Sequence, residues 1–309
     1  IRVLSAESLG TRGLSCLVRT RERVILIDPA MALGYWRDGF LPHPVQVAAG
    51  EDARERILEA VKFAGDIVVS HFHGDHVPLA EANPFQMPLK DFVSSLGEKV
   101  RWWMNSVPPD AGKAGIRFRN IRDIVDCEDG LCYGRTAGSM SFSRPVPHGF
   151  AETFMGRVMM TRIEDGNEVF VHASDIQLLS DGAVNQILEW APSILLVSGP
   201  PLYRDLSSGD VAEARGRARM LAENIGVCIF DHHLLRSLEG EKWLDSLAAE
   251  SPGEVISAAE FMGRPRRLLE ARRAELYERF PVPEGWHEKY ARGEVDTSEY
   301  RDLDIRNRS

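Results

Sequence analysis

The chain has 309 residues, of which 44% are hydrophobic and 27% are charged, the balance of an ordinary globular protein. It contains no run of about 18 apolar residues, so we expect no membrane span. The net charge of −9 argues against a large electrostatic surface for nucleic acid, although it is compatible with a local basic groove.

The cysteines and the first residues bear on the compartment. The four cysteines are scattered, and the one close pair, Cys127 and Cys132, has no second pair or flanking histidine that would complete a zinc knuckle. The first residues lack the long apolar core of a signal peptide. We therefore expect a cytoplasmic protein with reduced thiols, and the sequence leaves its oligomeric state open.

Apolar strands alternate with amphipathic helices along the chain, which predicts a layered α/β protein. In chain order, the predicted elements are a strand at 24–27, a helix at 51–64, strands at 67–70 and 168–171, a helix at 182–191, a strand at 193–198, a helix at 209–224 and a strand at 227–230. The strands end in polar residues, so we expect functional loops to cluster at one sheet edge.

One of these strand ends carries a dense cluster of side chains that bind metals. Residues 71–76 read His-Phe-His-Gly-Asp-His and directly follow the strand at 67–70. Neutral imidazole is the commonest metal ligand in proteins, and Asp supplies a hard oxygen. The alternative is a solvated, histidine-rich turn. Three imidazoles and a carboxylate within six residues favour a metal site.

Further acidic residues and histidines lie at or near the ends of other predicted elements. Asp28 ends the first strand, His148 lies between a proline and a glycine, Asp175 follows the strand at 168–171, and His232 and His233 follow the strand at 227–230. As alternatives to a metal site, Asp28 could cap a turn and Asp175 could cap a helix. We expect these residues to complete the metal site begun by the cluster.

Two other histidines are weaker candidates. His172 lies three residues before Asp175, so we expect it at the strand end or in contact with a ligand rather than as a ligand itself. His43 lies between two prolines, and the sequence does not separate packing in a loop from a place at the rim of the site.

The order Asp28, HxHxDH, His148, Asp175 and a final histidine resembles the five motifs of the metallo-β-lactamase superfamily. More narrowly, the chain is similar to a mainly archaeal family of predicted metal-dependent hydrolases. The segments that carry this similarity are 5–10, 145–149, 172–179, 198–201 and 231–236. The resemblance implies a four-layer αββα sandwich and a two-metal site, and it does not supply a substrate.

Carried over by position, the resemblance also implies a ligand set. The implied ligands of one metal are His71, His73 and His148, and those of the other are Asp75, His76 and a last histidine, with Asp175 bridging. His232 is the preferred last ligand and His233 the alternative. Asp75 and Asp28 are the predicted catalytic residues, with Asp28 orienting the motif loop or the free N–H of a ligand. The absence of thiolate suits Zn, Mn, Fe or Ni, and we expect zinc.

The resemblance suggests how the chain is divided. We expect residues 1–263 to form the metallo-β-lactamase-like domain, with 81–123 as an inserted cap or lid, and 264–309 to form a helix and polar tail docked on it. Within the cap, Arg117 and Arg119 alternate as on one face of a strand. Such a pair suits a phosphate or a carboxylate, and a solvated edge strand is an equal alternative.

These features predict a hydrolase that uses a hydroxide held by two divalent metals. We expect a phosphodiester or another small anionic ester as substrate, with Tyr203 and Arg236 facing it, and we do not favour nucleic acid. The redox-active diiron members of the superfamily carry Glu at the position of His73, which favours hydrolysis over oxygen reduction. The alternatives are a thioester, lactone or amide hydrolase, and a non-catalytic binding module of the same fold.

Overall fold

The computed structural model describes residues 1–107, 111–124, 131–150, 156–301 and 303. Its strands are β1 (Arg2–Val3), β2 (Cys16–Arg19), β3 (Val24–Ile27), β4 (Asp66–Val69), β5 (Arg101–Met104), β6 (Thr136–Ala137), β7 (Met140–Phe142), β8 (Val146–Pro147), β9 (Arg157–Val158), β10 (Thr161–Asp165), β11 (Glu168–His172), β12 (Ile194–Val197), β13 (Val227–Phe230) and β14 (Glu254–Ile256). Its α-helices are α1 (Pro44–Val61), α2 (Leu89–Ser94), α3 (Gly112–Arg122), α4 (Asp181–Trp190), α5 (Ser208–Asn224), α6 (Leu238–Glu250), α7 (Ala258–Phe261), α8 (Arg273–Arg279), α9 (Trp286–Ala291) and α10 (Ser298–Arg301).

The strands form two large sheets. Sheet 1 has the order β1-β2-β3-β4-β5, and sheet 2 has the order β14-β13-β12-β11-β10-β7-β6. The strands β3, β4 and β5 are parallel, as are β11 to β14, and the remaining neighbours within the two sheets are antiparallel. A separate ribbon pairs β8 with β9. Each sheet therefore contains a block of parallel strands whose carboxyl ends share one edge.

Apolar residues on both faces of each sheet divide the protein into four layers. Side chains alternate between the two faces of a strand. In β12, Leu196 packs against sheet 1 together with Ile25 of β3, whereas Leu195 packs beneath helices α4 to α6. In β3, Leu26 points the other way and packs beneath α1 with Ile57. The two sheets thus enclose one core and the outer helices cover two more, which confirms the predicted αββα sandwich.

Helix α1 begins earlier than the predicted helix at 51–64. Pro44 occupies its first turn, where a proline needs no N–H partner, and the Nδ1 atom of His43 accepts a hydrogen bond from the N–H of Val45. The Nε2 atom of His43 donates to the carbonyl of Phe280 at 2.8 Å. His43 therefore caps a helix and packs against the C-terminal segment.

The segment 81–123, expected to be an inserted cap, also contributes to the sandwich. Residues 101–104 form β5, the edge strand of sheet 1. The expectation that Arg117 and Arg119 share a strand face is wrong, because both lie on helix α3. The Arg-Phe-Arg alternation suggested a strand, but Phe118 and Ile121 pack in the core at helical spacing. Residues two apart on a helix point to nearly opposite sides, so the two arginines do not form a pair.

The segment 264–309 was expected to hold one helix and a polar tail. Its described residues, 264–301 and 303, form three short helices, α8 to α10, because apolar residues recur beyond the first of them. Leu276 packs against Val45 of α1, and Trp286 is buried in the core beneath sheet 1. Residues 302 and 304–309 of the predicted tail lie outside the described residues, as does Cys127. Among the described helices, none combines the length and apolar character that crossing a bilayer requires.

Candidate metal centre

The two parallel blocks bring the predicted site residues to one edge of the sandwich. In sheet 1, Asp28 directly follows β3 and the cluster at 71–76 follows β4. In sheet 2, Asp175 lies three residues beyond β11 and His232 two residues beyond β13. His148 reaches the same place from the end of β8. The side chains that were expected to bind metal therefore converge from separate elements.

The carboxylate of Asp175 lies between two groups of imidazole nitrogens. Its Oδ2 atom is 2.9 Å from Nε2 of His148 and 3.4 Å from Nε2 of His71. Its Oδ1 atom is 3.0 Å from Nε2 of His76 and 3.2 Å from Nε2 of His232. Each carboxylate oxygen thus faces a different set of donors.

The spacing of the donor atoms around Oδ1 fits a metal ion. The Nε2 atoms of His76 and His232 are 3.4 Å apart, and Nε2 of His232 is 3.5 Å from Oδ2 of Asp75. A tetrahedral ion with bonds of about 2.0–2.1 Å holds its ligand atoms about 3.3–3.4 Å apart. The donor spacings of this group lie close to that value.

The donor group around Oδ2 contains His73 as its most open member. Its Nδ1 atom is 3.9 Å from Oδ2 of Asp175, and its side chain is 34% exposed, so it lies at the mouth of the site. The deeper His71 is buried, and neither its Nε2 atom nor Oδ1 of Asp175 has a hydrogen-bond partner among the described residues. Buried polar atoms are nearly always paired, so these orphaned atoms also fit a cation.

A network around Asp28 fixes the orientation of the cluster. The Oδ1 atom of Asp28 accepts a hydrogen bond from the N–H of Ser70, and its Oδ2 atom accepts from the hydroxyls of Ser70 and Ser174. Nδ1 of His76 lies 2.9 Å from the same Oδ2. Because that contact keeps a proton on Nδ1, Nε2 is the nitrogen of His76 that faces Asp175 and is left to bind a metal in place of its own proton.

Burial and charge set the protonation of the site. Burial lowers the pKa of His71 to about 3 and that of His232 to about 4, so both rings are neutral near pH 7, the form that binds metals. Burial alone would raise the pKa of Asp75 and Asp175, but the neighbouring His76 holds both well below the usual value. In turn, Asp175 raises the pKa of His76 well above its usual range despite burial. The carboxylates therefore concentrate negative charge where a cation would lie.

His232 and His233 fall on different sides of the site. His232 lies beside His76 and Asp75, the position expected for the last ligand. The Nε2 atom of His233 lies 3.3 Å from Oδ2 of Asp175, on the side of the first donor group. Both rings are buried, and position alone favours His232 as partner of Asp75 and His76.

The hydrogen bonds of the same two rings favour His233 as the ligand instead. The backbone N–H of Gly13 donates to Nδ1 of His232 at 3.2 Å, and the donor Nη2 of Arg236 lies 2.9 Å from its Nε2, so both ring nitrogens of His232 already face protein donors. The Tyr203 hydroxyl lies 2.8 Å from Nδ1 of His233 and can accept a hydrogen bond from an N–H there, which leaves the Nε2 lone pair of His233 directed at the site. Both histidines therefore stay in the candidate donor set.

Arg236 is a buried cation beside the donors. Its Nε atom donates to Oε1 of Glu7 at 2.7 Å, and its Nη2 atom donates to Oδ2 of Asp75 at 3.3 Å. Its Nη1 atom donates to the hydroxyl of Tyr203 at 3.3 Å. The two residues predicted to face the substrate thus lie together, next to Asp75.

Other predicted residues lie elsewhere. His172 donates from Nε2 to the carbonyl of Leu14 at 2.8 Å and belongs to none of the donor groups. Arg117 donates from Nη1 to the carbonyl of Phe72 at 3.0 Å, which ties helix α3 to the motif loop. Arg119, on the same helix, is exposed.

Sequence reasoning gave no role to Glu7 or Ser70 and considered Ser174 only as a possible helix cap. Ser70 is the last residue before the cluster, so its position could have suggested a loop contact. Ser174 precedes a predicted ligand in the same way. Glu7 meets Arg236 across 229 residues of sequence, and no local spacing indicates that pair.

The αββα sandwich and the order of its donors agree with the resemblance to the metallo-β-lactamase superfamily. The chain is 46% identical over 305 residues to a UPF0282 protein of Methanosarcina mazei, covering 97% of this chain and 99% of that protein. It is 33% identical over 286 residues to a UPF0282 protein of Pyrococcus furiosus, covering 89% of this chain and 91% of that protein. The chain therefore belongs to the UPF0282 family.

No family model matches the chain. Among solved structures, it is similar to the metallo-β-lactamase fold protein YhfI from Bacillus subtilis, with a TM-score of 0.45 and 13% identity over 80% of this chain and 89% of that one.

Proposed function

We propose that this protein is a metal-dependent hydrolase that binds two divalent ions, with zinc as the expected metal. One observation carries the proposal. The two oxygens of Asp175 face separate sets of imidazole nitrogens, and Oδ1, although buried, has no hydrogen bond among the described residues. A carboxylate placed in this way suits a bridge between two cations.

The proposed ligands follow the two donor groups. They are His71, His73 and His148 for one ion, Asp75, His76 and His232 for the other, and Asp175 for both. When bound, such ions supply Lewis acidity and lower the pKa of a coordinated water, so that hydroxide is available near neutral pH. The contact of Asp28 with His76 supports a role for Asp28 in holding this ligand in its binding orientation.

The substrate side of the proposal rests on Arg236 and Tyr203. The guanidinium of Arg236 is buried beside Asp75 and keeps its charge, because burial is outweighed by Glu7 and its pKa lies well above the usual value. A fixed guanidinium and a phenol hydroxyl next to the donors suit an oxygen of an anionic substrate. This chemistry supports a phosphodiester or another small anionic ester.

The test combines metal content with turnover. Elemental analysis of the purified protein should give about two divalent ions per chain. Cleavage of bis-p-nitrophenyl phosphate should be lost after chelation and return when metal is added back. Retention of full cleavage after the metal is removed would contradict the proposal.

The remaining outcomes separate the alternatives. Two ions without phosphodiester cleavage would contradict the phosphodiester assignment, and assays with a carboxylic ester, a lactone and a thioester would then identify the bond that is cleaved. Absence of metal after reconstitution would contradict the hydrolase proposal and favour a binding module.

A further inference from the structure

Asp231 is a buried carboxylate directly before His232 and His233, the two candidates for the last ligand. It follows strand β13, and its side chain is fully buried. Although it is next to two candidate ligands, it belongs to none of the donor groups found among the described residues. A buried carboxylate is costly unless donors surround it, so its partners indicate what it does.

Four donors surround the carboxylate of Asp231. Its Oδ1 atom accepts hydrogen bonds from the backbone N–H of Ser8 at 3.0 Å and from that of His232 at 2.7 Å. Its Oδ2 atom accepts from the hydroxyl of Ser8 and from the backbone N–H of Ala258 at 3.0 Å. The carboxylate therefore links the N-terminal turn at Glu7–Leu9, the turn after β13 and the first residue of α7.

The hydrogen bond to His232 acts on a strained position of the backbone. His232 has a positive φ of 49°, a conformation that persists only where surrounding contacts impose it. The carboxylate of Asp231 holds the N–H of His232, and the backbone N–H of Asp231 donates to the carbonyl of Val197 at 3.1 Å. These contacts fix the chain on the approach to His232, and with it the direction of the imidazole.

Ser8 also belongs to the segment that contacts the ring of His232. Five residues beyond Ser8, the N–H of Gly13 donates to Nδ1 of His232 at 3.2 Å. Gly13 has a positive φ of 112°, and a Cβ atom there would lie 2.6 Å from the carbonyl oxygen of Asp75, so only glycine fits so close to the donors. The pair of Ser8 and Asp231 thus fixes both the backbone of His232 and the segment against its ring.

We propose that Asp231 is a positioning residue for the last histidine ligand and that Ser8 holds it in place. The inference rests on the proposed two-metal site, but the contacts that carry it lie outside the donor set. Loss of a partner that orients a ligand typically lowers metal affinity by roughly 10–100-fold. Because His232 lies beside Asp75 and His76, a displaced ring should weaken one ion and leave the other bound.

The test variant is Ser8→Ala, which removes the hydroxyl from the carboxylate of Asp231 and keeps the carboxylate itself. The matched control is Ser193→Ala. The Ser193 hydroxyl also joins two segments, since it bonds the N–H and the carbonyl of Val169 at 3.1 Å. It lies at the amino ends of β11 and β12, however, at the edge opposite the donors. A second and stronger variant is Asp231→Asn.

Two measurements are made on the purified protein and its variants. Competition with a calibrated chelator gives the affinity of each ion. Hydrogen exchange followed by mass spectrometry gives the protection of the amides in residues 231–236, and it requires no bound metal. Thermal unfolding checks that the variants are folded.

We expect one ion to bind at least tenfold more weakly in Ser8→Ala, with the other ion changed less than threefold and both unchanged in Ser193→Ala. Exchange at 231–236 should be at least tenfold faster in Ser8→Ala alone. Asp231→Asn should lose the same ion more completely, and Ser8→Ala decides the matter if Asp231→Asn does not fold.

The outcomes also separate this inference from the proposed function. A lower unfolding temperature in Ser8→Ala with metal affinities equal to those of Ser193→Ala would mean a purely structural role and would overturn the proposal. Absence of metal from the wild type would refute the proposed function. Exchange at 231–236 would then still decide whether Asp231 holds the turn, and equal exchange in the two serine variants would overturn that role.

Discussion

Asp28 and His76 are 48 residues apart in sequence, yet Oδ2 of Asp28 lies 2.9 Å from Nδ1 of His76, and both side chains are fully buried. The carboxylate is itself held by the N–H and the hydroxyl of Ser70. A strand end in sheet 1 therefore fixes the ring that faces Asp175. This relationship gives Asp28 an effect on the donor set through the ring of His76, whose Nε2 atom lies 3.0 Å from Oδ1 of Asp175.

Replacing Asp28 by Asn tests that effect. Asn keeps the shape of the side chain but removes the charge that holds the proton of His76 on Nδ1. Loss of such a partner typically lowers metal affinity by roughly 10–100-fold, and we expect a change of that size. Competition with a calibrated chelator measures it, with Asp165→Asn at the end of β10 as the control. Equal affinity in both variants would show that Asp28 does not orient a ligand.

Asp75→Ala separates the donor set from the core. Asp75 lies in a loop and contacts Arg236, which keeps its pairing with Glu7 when Asp75 is removed. We expect turnover of bis-p-nitrophenyl phosphate to be abolished, while the free energy of unfolding changes by only about 1 kcal/mol. Steady-state kinetics and chemical denaturation measure the two effects. Full activity in this variant would contradict the two-metal mechanism.

His172→Ala should show the opposite pattern. His172 is fully buried and donates to the carbonyl of Leu14, which links β11 to the N-terminal segment. Its removal leaves that carbonyl unpaired and opens a cavity, so we expect a loss of roughly 2–4 kcal/mol in unfolding free energy. Turnover measured below the unfolding transition should stay within about threefold of wild type, since no donor is removed. Complete inactivation of the folded variant would mean that His172 acts in the site.

The strands were the part of the fold that sequence predicted best. The strands β3 and β13 match the predicted ranges 24–27 and 227–230, because short apolar runs that end in polar residues have few other structures open to them. Helix α3 was missed because Arg117, Phe118 and Arg119 alternate like a strand, and only the packing of Phe118 and Ile121 reveals the helical period. Residue patterns thus fixed the sheets more firmly than the short helices.

The donor residues could be found from sequence, but their arrangement could not. Asp28, Ser174 and His232 each have a positive φ of 49°, a conformation that non-glycine residues rarely adopt. Such strain costs of order 1–3 kcal/mol per residue and persists only where surrounding contacts impose it. No local pattern predicts it, just as none predicts the pair of Glu7 and Arg236. The donor residues could therefore be predicted from the sequence, whereas their orientation depends on long-range packing.

The acid sensitivity of the fold should include a contribution from His43. Burial lowers the pKa of His43 in the folded protein to about 4, against about 6.5 in an unfolded chain. Between these values the unfolded chain takes up a proton that the folded chain does not, so stability falls as the pH drops from about 6.5 to 4. The loss approaches about 1.4 kcal/mol per pH unit.

His43→Asn isolates this contribution. Asn can still accept the N–H of Val45 at the start of α1 but does not titrate. We expect the variant to be less stable than wild type at pH 7, because it loses the hydrogen bond to Phe280. The difference in free energy of unfolding between the two proteins, here called the gap, should narrow below pH 6.5. Denaturation at a series of pH values measures the gap. A difference that stays constant down to pH 4 would show that His43 titrates alike in both states.

The last ligand can be assigned by comparing His232→Ala with His233→Ala. The Nε2 atom of His232 lies 3.4 Å from Nε2 of His76. The Nε2 atom of His233 lies instead 3.3 Å from Oδ2 of Asp175, in the other donor group. If His232 completes the group of Asp75 and His76, His232→Ala should bind about one ion per chain and lose at least 100-fold in kcat. His233→Ala should keep two ions, because the group around Oδ2 retains three histidines, and should lose mainly the hydrogen bond to Tyr203. Elemental analysis after dialysis against metal-free buffer separates the two. The opposite result, one ion in His233→Ala and two in His232→Ala, would make His233 the last ligand. That outcome would agree with the hydrogen bond that Gly13 donates to His232.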